Sequence, residues 1–381
     1  MKAAVLNAFD APLDIQCVPD PVLGTGEVIV DVAAAPVASY SANVFNGSRN
    51  YPLELPLIPG PGGIGRVRAA GPDSTRLRPG DWVFVDSTIR SRDNIASPEQ
   101  ILLGWTYRTP AALPLHRYFH HGSFAEQVLV PTENATAIGH IEPSDAGRWT
   151  ALARLLVPFG GLLAGGLQAG ETLVVNGGTG GFGGAGVAVA LAMGAGRVVV
   201  TGRNHGTLED LARRHGGRVR IVRFSGDEER DRKSIWDAAD GPIDMVLDFL
   251  PREASAAQVR TAALAVKLGG RVILMGGLRG SEGDLGLNYN WLMHNETTVR
   301  GVWMYNRDAI PRMVRMVRAG LIDLGQFELA EFGLDSTNEA VAYAAANAGP
   351  RQLTVLRPDG YDGGHAKKSS LEICRCSRLP D

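Results

Sequence analysis

The run Asn176-Gly-Gly-Thr-Gly-Gly-Phe-Gly183 constrains the fold of this chain more than any other feature. It follows Thr172-Leu-Val-Val, a short aliphatic run that reads as a buried strand. It opens onto Ala185-Gly-Val-Ala-Val-Ala-Leu-Ala-Met, a helical stretch of small residues. Gly178, Gly180 and Gly183 fit the spacing G-x-G-x-x-G. A strand, a tight turn and a helix in that order give each glycine a task. Gly178 makes the turn, Gly180 lets a backbone approach a pyrophosphate, and Gly183 lets helix and strand pack closely. The free N–H groups at the helix start then hold the anion. The expected cofactor-binding turn is therefore Gly178, Thr179, Gly180, Gly181, Phe182 and Gly183.

The next strand, Arg197-Val-Val-Val-Thr, discriminates between dinucleotides. An NAD site places Asp or Glu at this strand tip to accept from the ribose hydroxyls. Here the tip reads Thr201-Gly-Arg-Asn204 and carries no acid. Gly202 is expected to leave space for a 2′-phosphate, and Arg203 offers a forked donor to it, with Thr201 and Asn204 adding hydrogen bonds. The expected cofactor is NADP(H).

Further apolar runs, Val219-Arg-Ile-Val, Met245-Val-Leu-Asp and Arg271-Val-Ile-Leu-Met, alternate with helical patterns, which predicts a parallel sheet with crossovers over 149–300. Ligands lie outside the carboxyl ends of such strands, so Asp248, Phe249 and Leu250 on one and Met275, Gly276 and Gly277 on the next are expected near the cofactor. Residues 1–148 differ in character. Short β-like runs such as Glu27-Val-Ile-Val-Asp-Val and Asp81-Trp-Val-Phe-Val are closely punctuated by Pro and Gly, as in an all-β module. Residues 301–358 carry helical patterns near 308–319 and 336–347 and strand-like runs at Phe327-Glu-Leu and Leu353-Thr-Val-Leu. The tail 359–381 lacks apolar periodicity and reads as disordered or appended.

With 381 residues and a formal net charge of −2, the chain has neither a basic field for nucleic acid nor an acidic tail. Its opening, Met1-Lys-Ala-Ala-Val-Leu, reads as a strand rather than a secretory leader. The apolar stretch 151–168 is interrupted by Arg154 and glycines, and reads as a core helix rather than a membrane span. Of three cysteines, Cys374 and Cys376 lie in the tail, leaving Cys17 in a body without a disulfide framework. A cytoplasmic location is expected.

Together, Gly80-Asp-Trp-Val, Gly122-Ser-Phe-Ala-Glu-Gln-Val-Leu-Val-Pro, the glycine turn and Leu268-Gly-Gly-Arg-Val-Ile-Leu-Met-Gly276 resemble the medium-chain dehydrogenase/reductase superfamily over 1–358. The resemblance implies an α/β fold: a GroES-like β domain (1–148), a Rossmann doubly wound parallel-sheet domain (149–300) and a C-terminal return to the first domain (301–358). It also implies a homodimer, with an edge strand near Asn295-Glu-Thr-Thr-Val-Arg-Gly-Val-Trp. The family's zinc enzymes carry Cys-His-Ser/Thr-Asp and later Gly-His-Glu. The matching stretches here are Ala38-Ser-Tyr-Ser41 and Gly60-Pro-Gly-Gly63, so Ala38, Pro61 and Gly62 stand where ligands would be. His120-His121 lacks a third partner in sequence and reads as a surface loop. No metal is expected.

The chain thus resembles the zinc-free branch of quinone oxidoreductases and enone or enoyl reductases. Quinone or enone reduction leaves a weakly basic oxygen that hydrogen-bond donors can stabilise without a Lewis acid. Tyr40 aligns with the Ser/Thr proton relay of the zinc enzymes. Tyr51 competes with it, lying two residues beyond the position of the enoyl reductases' tyrosine. Ser39 and Asn43 are polar neighbours, and Trp105, Tyr107, Trp291, Trp303 and Tyr305 are candidate walls of an apolar pocket. The expected activity is zinc-independent, NADPH-dependent hydride transfer to a small conjugated carbonyl or quinone. The alternatives are a zinc-free NADP(H) alcohol dehydrogenase or ketone reductase, and a non-catalytic NADPH-binding sensor or structural protein.

Overall fold

The computed structural model describes residues 1–93, 95–278 and 284–358; the expectation for the tail 359–381 falls outside the described residues. The chain divides into two compact units. One comprises Met1–Ala153, Phe327–Ala348 and the segment from Gln352, the other Arg154–Gln326 with Gly349–Arg351.

The first unit contains β1 (Lys2–Val5), β2 (Asp14–Cys17), β3 (Glu27–Val37), α1 (Ser41–Phe45), β4 (Gly63–Ala70), β5 (Trp82–Val85), β6 (Thr88–Arg90), β7 (Gln100–Leu102), β8 (Thr106–Tyr107), α2 (Leu113–Tyr118), β9 (Gln127–Pro131), β10 (Ala135–Ala137) and α3 (Ala146–Trp149). Among the described residues, its main sheet runs β10-β5-β4-β3 and continues into two strands from the far end of the chain. β3 pairs with both β4 and β9, and nearly all its side chains are buried, in keeping with a sequence that is apolar apart from Glu27 and Asp31. A smaller sheet, β6-β7-β8, lies beside it in sequence.

The second unit contains β11 (Thr172–Asn176), α5 (Gly181–Ala192), β12 (Arg197–Gly202), α6 (His205–His215), β13 (Val219–Arg223), α7 (Glu228–Ala239), β14 (Met245–Asp248), α8 (Ala256–Ala263), β15 (Arg271–Leu274), α9 (Tyr289–His294), β16 (Thr298–Gly301) and α10 (Ala309–Arg318). It also holds most of α4 (Ala151–Ala164), whose first turn contains the boundary between the units. Among the described residues, the strands lie in the order β13-β12-β11-β14-β15-β16, all parallel. This is the doubly wound order, reversing between β11 and β14. Val174, Val199, Val246 and Val272 meet Ile235, Ala262 and Ala263 in one core beneath α7 and α8.

β17 (Glu328–Gly333), α11 (Thr337–Ala346) and β18 (Gln352–Arg357) return the chain to the first unit, where β18 pairs antiparallel with β3. The return begins at Phe327 rather than at 301. Residues 301–326 stay with the second unit because α10 buries Ile310, Met313 and Val314 there and the Arg312 guanidinium lies over the Phe159 ring of α4.

Candidate functional site

In the second unit, the strand reversal sets a candidate cofactor site. Asn176 and Asp248 are register partners at the tips of β11 and β14. Asn176 Nδ2 donates to Asp248 Oδ1 at 2.7 Å, and Thr201 Oγ donates to Asn176 Oδ1 at 2.6 Å. The Gly177 N–H points at the same Thr201 oxygen at 3.4 Å. Three strand tips are thereby tied together directly under the glycine turn. Burial raises the pKa of Asp248 to about 7, against the lowering pull of hydrogen bonds from Asn176 and the Leu250 backbone. A Cβ on Gly276 would meet Asp248 Oδ2 at 2.5 Å, so the tip of β15 must be a glycine to pass over this carboxyl.

The turn itself is shaped by close backbone approach. A Cβ on Gly178 would lie 2.1 Å from Val200, and one on Gly183 would lie 2.2 Å from Gly177 O. By contrast, the nearest heavy atom to a Cβ on Gly180 is Gly177 O at 3.5 Å. Gly180 is the N-cap of α5 and no side chain caps it, which leaves the first-turn N–H groups with the partial positive charge of the helix start. Phe182 stacks on Phe249 at 6.1 Å. Met275 N–H donates to Asp248 O, and Gly277 N–H to Leu250 O, holding the β14 and β15 exits side by side. One cation escaped the sequence reading: the Arg154 guanidinium on α4 would lie 3.2 Å from a Cβ on Gly181. These residues fit a dinucleotide, with backbone donors and a cation beside the turn and the open Gly180 at the helix start.

At the β12 tip, Arg203 is exposed and makes no ion pair among the described residues. Two neighbours differ from expectation. The space over Gly202 is occupied by Thr179 of the turn, which a Cβ at 202 would meet at 2.5 Å. Thr201 is fully buried and its hydroxyl serves the Asn176 chain, so it shapes the turn from below. Asn204 is the N-cap of α6 and accepts from the Thr207 N–H at 3.1 Å.

A separate cluster in the first unit brings Tyr40 and Tyr51 together. After α1 the chain reverses through Gly47 and Asn50, both at positive φ, and the Arg49 N–H donates to Asn43 O at 2.9 Å. That turn carries the Arg49 guanidinium back over the Tyr40 ring at 4.2 Å. Its Nε–H donates to the Tyr51 hydroxyl at 3.3 Å. Tyr40 in turn meets Trp105 edge-on at 6.0 Å, and Trp105 meets Phe45 at 5.7 Å. Trp105 is almost fully buried, as is Tyr305 in the second unit, so both are core residues rather than pocket walls; Trp303 is partly exposed and Trp291 packs against the sheet core. Ser39 and Asn43 are exposed.

A zinc ion does not fit the positions where the family's zinc enzymes hold it. Ala38, Pro61 and Gly62 offer no ligand atoms, and a Cβ on Gly62 would lie 2.1 Å from Val85 O, so that position has no room for a side chain. The histidine pair does acquire a third member. His116 of α2 lies 5.1 Å, ring to ring, from His120, which lies 4.9 Å from His121. Glu54 beside them is held by Arg117 through two 2.7 Å hydrogen bonds, and Glu54, Leu55, Arg117 and His120 line an open cavity of about 510 Å³. Burial, and then the charge of His120, lower the pKa of His116 to about 4. No group of three or more His, Cys, Asp or Glu among the described residues is arranged to hold a metal ion.

Comparison with known proteins agrees with this architecture. Residues 24–140 match the alcohol dehydrogenase GroES-like domain and residues 181–319 the zinc-binding dehydrogenase domain. Sorbitol dehydrogenase of Bacillus subtilis (strain 168) is 24% identical over 90% of this chain and 93% of its own. The mitochondrial enoyl-[acyl-carrier-protein] reductase of Homo sapiens is 24% identical over 78% of this chain and 70% of its own. A solved chain from Sinorhizobium meliloti 1021, described as a zinc-binding dehydrogenase bound to NADP, superposes with a TM-score of 0.75 at 21% identity, covering 94% of this chain and 99% of that one. With its GroES-like and Rossmann domains, the chain belongs to the medium-chain dehydrogenase/reductase superfamily and is an oxidoreductase of that family.

Proposed function

We propose that the protein is a zinc-independent, NADPH-dependent reductase of small conjugated carbonyls or quinones. The observation that carries this reading is what surrounds α1. Where the zinc enzymes place ligands, Ala38, Pro61 and Gly62 stand, and two residues beyond Ala38 begins a cluster of two phenols around one guanidinium. Such donors suit the weakly basic oxygen left by enone or quinone reduction better than the strongly basic alkoxide of a saturated ketone. The cofactor, when bound, supplies the hydride. Gly180–Gly183 and Arg154 would hold its pyrophosphate, Arg203 and Asn204 the 2′-phosphate end, and Phe249 with Met275–Gly277 the nicotinamide end. The neighbour bound to NADP supports the choice of dinucleotide.

The relatedness to sorbitol dehydrogenase favours a second reading, NADP(H)-linked oxidoreduction of saturated alcohols and ketones. Paired assays separate the two. Oxidation of NADPH by 2-cyclohexenone and 1,4-benzoquinone but not by cyclohexanone is expected; turnover of cyclohexanone alone would favour the second reading. The same reading places the protein in the cytoplasm as a homodimer joined along β16, whose residues are all exposed. No helix among the described residues is long and apolar enough to cross a membrane.

A further inference from the structure

We propose that Arg49 positions the Tyr51 hydroxyl as the proton donor of the reaction and offsets the charge it leaves behind. The proposal rests on the reductase reading above. Three observations carry it. The guanidinium carbon lies over the Tyr40 ring at 4.2 Å, and Tyr40 packs edge-on against the buried Trp105. Its Nε–H is spent on the Tyr51 oxygen at 3.3 Å. The Arg49 backbone is pinned to Asn43 O at 2.9 Å, so the fork cannot drift along the loop.

The chemistry follows from the direction of that hydrogen bond. A phenol oxygen that accepts from a cation turns its own O–H away from it, toward whatever acceptor lies opposite. In the reduction, the cofactor when bound would supply the hydride that forms a C–H bond at the electrophilic carbon of the substrate, and would itself be oxidised. The displaced electron pair moves to the substrate oxygen, which takes the Tyr51 proton. The negative charge left on Tyr51 sits beside the guanidinium until solvent returns a proton. Tyr40 offers its ring face to the cation and so acts as the support. Arg49 is a positioning residue, since it works through Tyr51.

A double-mutant cycle tests this, with NADPH and either 2-cyclohexenone or 1,4-benzoquinone as probes. Tyr51→Phe is expected to lower kcat by about 100-fold, the scale of a lost general acid. Arg49→Ala should lower kcat by about tenfold and raise the solvent deuterium isotope effect on it, with the KM for NADPH unchanged. The double variant should lose no more than Tyr51→Phe alone, because Arg49 has nothing left to position. Independent, multiplicative losses would overturn the proposal, as would full kcat in either single variant. If Arg49→Ala does not fold, Arg49→Lys gives the same cycle, since it keeps charge without the fork: a loss with Tyr51 present and none in the Tyr51→Phe background is expected. A wild type that reduces neither probe would remove the reductase reading and this proposal together, whereas a wild type that turns over with an additive cycle removes the proposal alone.

Discussion

Asn176 and Asp248 face each other where the strand order reverses, with the asparagine amide donating to the carboxyl at 2.7 Å and the Thr201 hydroxyl donating to the asparagine from the other side. The carboxyl is buried and its pKa rises to about 7. A carboxyl whose folded pKa lies above its unfolded value contributes stability that is complete below the unfolded value and is lost as pH rises through the folded one. Asp248→Asn should therefore raise the melting temperature at pH 8 and have much less effect at pH 5. The difference from the ordinary aspartate value of 3.8 sets an upper limit of about 4 kcal/mol on the effect. Thermal melts of both proteins at the two pH values check this; an equal shift at both would show that the carboxyl is ionised throughout.

His116 works in the opposite direction. Its folded pKa of about 4 lies below the ordinary histidine value of 6.5, so its contribution is complete above pH 6.5 and is lost as pH falls toward 4. The groups around it are His120, His121, Glu54 and the Tyr107 ring. His116→Gln should narrow the loss of melting temperature between pH 7 and pH 5 by roughly 2–4 °C. Identical pH profiles for variant and wild type would assign the acid lability elsewhere.

In the proposed reading, Arg203 at the β12 tip sets the choice of dinucleotide. Arg203→Ala should weaken NADPH binding about tenfold or more, the scale of a lost charge-assisted pair, and change NADH binding by less than about twofold. Fluorescence titration of both cofactors measures it. Equal losses for the two would mean that the arginine does not meet the 2′-phosphate. Thr179, which fills the space over Gly202, then becomes the residue to examine.

β16 is the outer strand of the parallel sheet, and Val299 on it is partly exposed. A lysine on an edge strand opposes pairing with a second copy. If β16 joins two copies as proposed, light scattering on Val299→Lys should give half the wild-type mass with the fold retained by circular dichroism; an unchanged mass would overturn that pairing.

Much of the second unit was legible in the sequence because its signals are local. The glycines of the turn, the aliphatic run before them and the small-residue helix after them lie within some twenty positions, and the close approach at Gly183 is the one the spacing requires, whereas the left-handed turn residue is Gly177 rather than Gly178. The missing acid at the β12 tip and the missing ligands at Ala38, Pro61 and Gly62 could likewise be read one residue at a time. The contacts that convert these positions into a site carry no such signature. Thr179 reaches Gly202 across two strands, Arg154 reaches Gly181 from another helix, and His116 joins His120 and His121 only once α2 has turned. Even Arg49, two residues from Tyr51, was invisible, since its partnership with Tyr40 needs the backward turn at Gly47 and Asn50. By itself the sequence determined the strand–turn–helix, the order of the domains and the residue types available for chemistry, because periodicity and glycine spacing act on neighbours. The tertiary structure alone decided which side chains share a proton, a ring face or a buried charge, because those contacts depend on burial and on chain reversals that bring distant atoms within hydrogen-bonding distance.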